Sequence, residues 1–378
     1  MKIIVAADFC PRMRVETRMG EDPSFDPFAE VRPIIGEADY SLVNLECPVG
    51  CEGSSPVTKC GPHLKCSERA VSLLGEVGFS CATLANNHIR DYGDASLLRT
   101  LEVLTEKGLD HVGAGRNLEE AGRVLRKEVG DMTIAVVNCC EHEFSIATDS
   151  GAGANPMEAV RTFREIQEAK KTSDFVLLVT HGGMEHYPLP TPRMQELYRF
   201  FVDAGASAVV NHHQHCYSGY ECYKGAPIFY GLGNFCFDSQ RRNSQWNEGY
   251  MVRLDFERSG VSFELIPYVQ CDESPVVSLM DAEKTGGFES KVRELNRIIE
   301  DPSAVKKEFE KFAMEHGSSY MSMFYPYQNS VLVSLAKKRL LPKFLQKRRL
   351  VRALNYVDCE SHRDLLSLYM NHVYAERD

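Results

Sequence analysis

Short runs of apolar and β-branched residues recur along the chain at 2–7, 41–45, 81–84, 133–138, 175–180, 208–211, 228–231, 250–256 and 261–269. The earlier runs are continuously apolar, as expected for strands covered on both faces. Helical spacing fills the intervals. Leu97, Leu101 and Leu104 recur at helical period and Gly108 stops that helix. Asn155, Pro156 and Glu158 fit an N-cap, a first-turn proline and the third position of a capping box, with Val160, Phe163 and Ile166 as the buried stripe. Thr191 and Pro192 open a further helix that Gly205 closes. This alternation predicts an α/β fold. The last strands have no helices between them, which predicts an antiparallel section of sheet. Beyond about residue 270 the pattern turns helical, over 287–300, 302–316, 328–353 and 360–376. The expected organisation is a domain over 1–268 and a mainly helical extension over 269–378.

Composition narrows the function classes. With 43 Lys and Arg against 53 Asp and Glu, the net charge is −10, which argues against a general nucleic-acid binder. The longest apolar runs, such as 175–179, fall far short of a bilayer span. Residues 1–8 lack the apolar core and cleavage site of a signal peptide. The expectation is a soluble, cytoplasmic protein with no transmembrane segment. Thirteen cysteines in a chain of this length suit reduced, buried thiols rather than a disulfide scaffold. Cys47, Cys51, Cys60 and Cys66 cluster, but without the Cys-x-x-Cys pairs of a zinc ribbon. Residues 337–352 hold eight Lys or Arg interleaved with Leu340, Leu341, Phe344, Leu345 and Leu350. Such a stretch fits a membrane surface or an acidic protein partner. The plainer account is a solvated helix that packs its Leu side on the domain.

The chemistry-bearing residues sit at the ends of predicted strands. Asp8 follows the first strand, and Asn44 and Glu46 end the second. Asn86, Asn87 and His88 follow the third. His181, Gly182 and Gly183 come next, then Asn211 with His212, His213, Gln214 and His215, then Gly233 and Asn234. In open α/β sheets, ligands bind beyond the carboxyl ends of strands, so these ends define one polar rim. Each element has a plainer account: a capping Asp, a surface Glu, an Asn-Asn turn. Three His in four residues is poor packing material and good ligand material. The mixture of carboxylate, amide oxygen and imidazole suits divalent Mn, Fe, Zn or Mg rather than a thiolate-dominated site. Two close ions clamp a phosphoryl group and acidify bound water, and an unligated His nearby can protonate a leaving oxygen.

Taken in order, Asp8, Asn44-Leu45-Glu46, Leu84-Ala85-Asn86-Asn87-His88 with Asp91-Tyr92-Gly93, Gly113-Ala114-Gly115, His181-Gly182-Gly183, His212-His213-Gln214-His215 and Gly231-Leu232-Gly233-Asn234-Phe235 resemble the CapA-type family. These are bacterial capsule (poly-gamma-glutamate) biosynthesis proteins, related to calcineurin-like metallophosphoesterases. The resemblance covers about 1–268. It implies a four-layer αββα sandwich with a binuclear metal centre between the sheets. On that resemblance Asp8, Glu46, Asn87, His181, His213 and His215 are the expected ligands and His88 the catalytic residue. Asn44, Asn86, His212 and Asn234 are candidate substrate-binding residues beside them. Cys10 stands where the family's first motif has His, Asn211 replaces a Gly and Gln214 a Pro.

Three functions are therefore set against one another. The first is a metal-dependent phosphoesterase acting on an anionic small molecule or polymer in capsule or exopolymer biosynthesis, with Lys59, Lys65 and Arg90 close enough in sequence to hold substrate anions. The second is an amide hydrolase or transamidase on a polyglutamate-like polymer. The third is a non-catalytic docking subunit of a polymer-synthesis assembly.

Overall fold

The computed structural model describes residues 1–22, 24–239, 243–321, 335 and 347–375. Two large sheets face each other. In the first, the strands Lys2–Phe9, Tyr40–Leu45, Cys81–Thr83 and Asp110–Val112 run parallel. On the other edge of Lys2–Phe9 lies an antiparallel section, Glu248–Glu257, Gly260–Gln270 and Val277–Leu279. Asn234–Cys236 pairs in parallel with the end of Lys2–Phe9, placing Asn234 opposite Asp8. The second sheet runs Tyr220–Tyr223, Ala226–Phe229, Ala208–His212, Phe175–His181, Met132–Cys140 and Leu125–Val129.

Side-chain alternation explains why the sheets stack. Ile134, Val136, Leu177, Val179 and Val210 point toward the first sheet and join Ile3, Val5, Leu42 and Leu254 in one core. Their neighbours Ala135, Val137, Val176, Leu178 and Val209 point the other way, onto Ile166, Met194, Tyr198 and Phe201 of the helices Ala159–Lys170 and Pro192–Ala204. Ala70, Val71 and Leu74 of Glu68–Val77, and Leu97 and Leu104 of Gly93–Glu106, cover the outer face of the first sheet. Helix, sheet, sheet, helix is the expected four-layer αββα arrangement. Each fully buried Leu, Ile or Val contributes about 1.5–3 kcal/mol of transfer free energy, and strands buried on both faces read as unbroken apolar runs for that reason.

Several local expectations are corrected. Asn155 does not cap a helix, because Ala159–Lys170 starts four residues later with Glu158 at its N-cap. The Asn155 amide instead donates to Asn138 O and to Glu165, and its oxygen accepts from Arg161. With the start shifted, the buried face becomes Thr162, Ile166 and Ala169, while Val160 and Phe163 are exposed. The short strands at Asp110–Val112, Tyr220–Tyr223, Asn234–Cys236 and Val277–Leu279 are too brief to show a period. The helix expected at 287–300 starts earlier, spanning Ala282–Ile299, and that at 302–316 runs on through Pro302–Met321. Residues 337–346 of the basic stretch lie outside the described residues. The helix Lys347–Asp358 leaves Leu350 half exposed rather than packed on the domain.

The C-terminal helices dock on the second sheet's outer helix layer. Leu295, Ile299, Phe309, Ala313 and Leu365 enter the core of Met194, Tyr198 and Phe201. Arg193 bridges Glu141 and Asp364, and Ser361 Oγ donates to Glu141 at 2.9 Å. His142 meets Glu360 at 2.7 Å. Among the described residues, no helix is long and apolar enough to cross a membrane.

Candidate metal centre

The carboxyl ends of both sheets meet at one place. Parallel register sets Asp8 beside Asn44 and Asn234, and sets His212 beside His181. The chain then turns sharply: His213 and His215 adopt φ of 98° and 53°. Left-handed backbone at a non-glycine residue costs about 1–3 kcal/mol and persists where the surroundings over-determine it. Here it turns both imidazoles toward the sheet ends.

Two donor groups result. Glu46, His181 and His213 form one and Asp8, Glu46 and His215 the other, with the donor atoms of each within 4.8 Å of one another. Glu46 belongs to both. His181 Nε2 and His215 Nε2 stand 3.6 and 3.7 Å from Glu46 Oε1. Asn87 Oδ1 lies 3.1 Å from His181 Nε2, as does His213 Nδ1.

These residues fit cations on three counts. Glu46 is 0% exposed and neither carboxylate oxygen has a hydrogen-bond partner, a costly arrangement for a buried charge without a counter-ion. Burial, then Asp8, Cys10 and Glu185, pushes its carboxyl well above the usual range, a preference that a bound cation reverses. Burial and the neighbouring imidazoles hold His181 well below its ordinary value, and burial likewise lowers His213. Neutral imidazole is the form that binds metal.

The remaining sequence candidates take supporting positions. Asn44 Nδ2 donates to Asp8 Oδ1 at 2.7 Å, and Asn44 Oδ1 accepts from Asn86 at 3.2 Å. Asn86 Oδ1 accepts from the His88 amide. Against burial, His212 and Asn44 hold the Asp8 carboxyl below its usual value. His212 Nδ1 is 3.3 Å from Asp8 Oδ1, but neither ring nitrogen makes an aligned hydrogen bond. Asn234 Oδ1 takes His215 Nδ1 at 2.9 Å while its amide donates to Trp246 O, which directs His215 Nε2 at Glu46. Asn44, Asn86, His212 and Asn234 are all buried behind the donor groups. Cys10 belongs to neither group. Its thiol neighbours that of Cys47, which also meets Cys66. Among the described residues every cysteine is a free thiol, and Cys47, Cys51, Cys60 and Cys66 enter no metal-competent cluster. Asn211, in place of a Gly, ties strands together by donating to Gly182 O and Tyr230 O. Gln214 similarly holds Tyr187 O and Leu189 O.

His88 occupies a different setting. Its Nδ1 lies 2.7 Å from Asp91 Oδ2 and 2.9 Å from Lys59 Nζ. Lys59 is buried and paired with Asp91, so it is not the solvated surface charge that would be its plainer account. Lys65 stacks over Tyr92 and Arg90 pairs with Asp94 at the surface. Burial, then the Lys59 charge, lowers the His88 imidazole. With Nδ1 engaged, Nε2 is the nitrogen left for the cavity that His88 lines. That cavity measures about 590 Å³, and a neighbouring one of about 450 Å³ shares His88, Glu185 and His186 with it.

Three features escape a sequence reading. Asn138 Oδ1 accepts from the Leu84 and Ala85 amides while its own amide donates to Val179 O, stitching the Asn-Asn-His loop to the second sheet. Gly113 has φ +95°, and a Cβ there would lie 1.9 Å from Asn138 Oδ1, so the Gly-Ala-Gly motif makes room for this stitch. The wall facing His88 comes from the C-terminal extension, through Tyr320, Arg352, Asn355, Tyr356 and His362. Their one sequence signal is the Cys-x-x-His spacing at 359–362.

A family model for the bacterial capsule synthesis protein PGA_cap matches residues 2–239. The capsule biosynthesis protein CapA of Bacillus anthracis is 34% identical over 268 residues, covering 68% of this chain and 65% of that protein. The PGA biosynthesis protein CapA of Bacillus subtilis (strain 168) is 31% identical over 261 residues, covering 68% of each chain. A solved phosphatase from Mycoplasma pneumoniae superposes with a TM-score of 0.46 at 18% identity, covering 72% of this chain and 95% of the other. This chain thus spans about two thirds of the length of its Bacillus relatives, and it belongs to the PGA_cap family of bacterial capsule synthesis proteins.

Proposed function

We propose that this protein is a metal-dependent phosphoesterase-type hydrolase serving capsule or exopolymer biosynthesis, with the two-sheet sandwich, which runs on past 268 through Val277–Leu279, as the hydrolytic unit and the C-terminal helices as a wall of its cavity. One observation carries the proposal: a fully buried Glu46, neither of whose carboxylate oxygens has a hydrogen-bond partner, belongs to two carboxylate–imidazole donor groups at once. Glu46, His181 and His213, with Asn87, would hold one divalent ion, and Asp8, Glu46 and His215 the other. Bound there, such ions supply charge for a phosphoryl group and lower the pKa of water.

The chain's own residues do the rest. Asn44 fixes the Asp8 carboxylate and Asn234 fixes the His215 tautomer, each through one hydrogen bond. Such partners of ligands typically govern 10–100-fold in metal affinity. Asn44, Asn86 and Asn234 therefore position ligands. Asp91 and Lys59 hold the His88 ring at Nδ1; in the tautomer whose Nδ1 accepts from the Lys59 ammonium the ring proton sits on Nε2, from which it would pass to the leaving oxygen while Lys59 returns one to Nδ1. The donor set serves amide bonds as well as phosphoesters, so substrate profiling has to include both.

The test is the metal content of the purified protein by elemental mass spectrometry, beside His213→Ala. Near two transition-metal ions per chain, falling sharply in the variant, is expected and justifies a phosphoester and amide screen with that metal. No ion after incubation with Mn or Zn would overturn the proposal in favour of a docking subunit.

A further inference from the structure

Beside the first donor group, with Glu143 Oε1 3.7 Å from His213 Nε2, a third cluster joins the core to the extension. Glu143 follows the strand Met132–Cys140, whereas Cys359 and His362 lie at the junction of Lys347–Asp358 and Glu360–Ala375. One carboxylate oxygen, the Cys359 Sγ and one His362 ring nitrogen all lie within 4.8 Å of one another. We propose that Glu143, Cys359 and His362 form a third cation site, suited to Zn²⁺, that fastens the C-terminal extension against the cavity.

The surroundings are those of a ligand site. Backbone bonds run from Cys359 N to Asn355 O and from Arg363 N to Cys359 O, so helical geometry continues across the junction. Asn355, Cys359 and His362 then fall at i, i+4 and i+7 on one face. His362 Nδ1 lies 2.9 Å from the Tyr320 hydroxyl. A partner on one ring nitrogen orients the other toward a metal, as in known His sites, and leaves Nε2 free here. Asn355 Oδ1 is buried with no hydrogen-bond partner, in a residue only 7% exposed that lines the same cavity as Glu143 and His362. That orphaned oxygen is a candidate fourth donor.

Thiolate, imidazole and carboxylate together favour Zn²⁺ over the harder Mg²⁺ or Ca²⁺. A tetrahedral ion needs its donors about 3.3–3.6 Å apart at the usual Zn–S and Zn–N lengths, so modest side-chain shifts gather them. Binding replaces the Cys359 S–H bond by a metal–sulfur bond and sends the proton to solvent. The site would close one wall of the cavity, so zinc would act on substrate access and on docking of the extension. It does not depend on the hydrolase proposal.

Cobalt separates this site from the others, because neither of the other donor groups contains a cysteine. Full-length metal-free protein would be titrated with Co²⁺ and followed by near-ultraviolet absorption and elemental analysis. Wild type and His213→Ala are both expected to show a thiolate-to-cobalt charge-transfer band. Cys359→Ser is expected to lose the band and to bind one ion fewer than wild type, however many ions the Glu46 groups take. His362→Ala and Glu143→Gln are expected to weaken cobalt binding at least tenfold. Circular dichroism of the metal-free variants verifies that they fold. A band that persists in a folded Cys359→Ser, or equal ion counts in that variant and wild type, overturns the site.

Discussion

The sandwich and the C-terminal extension organise polar chemistry in two different ways. In the sandwich, residues from the carboxyl ends of five strands, with Asn234 from the start of a sixth, converge because parallel register brings those ends together. Asp8 and His215 are far apart in sequence yet stand 3.8 Å apart. In the extension, Asn355, Cys359 and His362 are brought to one face by helical period alone, and they acquire Glu143 only by docking. The first arrangement is rigid and costs backbone strain at His213 and His215. The second depends on a few ion pairs and a shared apolar layer, so it is the part whose state can change.

The sharpest way to break the comparison is Glu46→Gln. It is expected to lower metal-dependent hydrolysis about a thousandfold, the equivalent of several kcal/mol of transition-state stabilisation. The same change is expected to stabilise metal-free protein by about 1–3 kcal/mol, because an unpaired buried carboxylate is removed. Assays with and without chelator check both halves. A fall in metal-free stability would mean that Glu46 has a structural partner instead.

Asn138→Ala is next. It orphans the Leu84 and Ala85 amides and Val179 O, at a cost of about 2–4 kcal/mol of global stability, read from a denaturation midpoint. An equal substitution in the extension should shift only docking.

Asn234→Ala should leave the fold intact and weaken metal affinity 10–100-fold, measured by competition with a chelating dye. An unchanged affinity would remove Asn234 from the centre.

The smallest effect concerns pH and the extension. The hydrogen bond to Glu360 raises His142 above its ordinary 6.5, with Glu158 and Asp358 adding to the field. Against burial, His142 holds Glu360 below its ordinary 4.5. The raised base contributes stability that is fully present below 6.5 and is lost as pH rises through its folded value. The lowered acid contributes above 4.5 and loses that contribution as pH falls through its folded value. Docking is therefore strongest between those limits. Wild type is expected to lose on the order of 1 kcal/mol of stability from about pH 6 to about pH 8, and Glu360→Gln to flatten that slope. A slope unchanged by the substitution would break the link between His142 and docking.

Legibility followed the same division. Long apolar strands such as Phe175–His181 announced themselves because both faces are covered. The start of the helix after Asn155 is not legible locally, because its cap-like residue, proline and glutamate mimic a start signal, while Asn155 is recruited by Asn138, Arg161 and Glu165. That competition is tertiary and leaves no local trace. His212 to His215 were conspicuous because so dense a His run has little packing use. The pairing of Lys59 with Asp91 was not, since a lysine reads as surface charge until the chain folds over it.

By itself the sequence determined the α/β class, the strand ends that carry polar residues, and a family pattern whose order is hard to produce by chance. The first two are local, resting on hydrophobic period and on residue type at strand ends, and the third rests on the resemblance of the ordered motifs to a known family. Tertiary structure alone decided that Glu46 is left unpartnered between two donor groups, that Asn234 orients His215, and that the extension walls the cavity beside His88. Those facts depend on contacts between residues tens to hundreds of positions apart. No local pattern encodes them, because burial and partnering are properties of the packed chain.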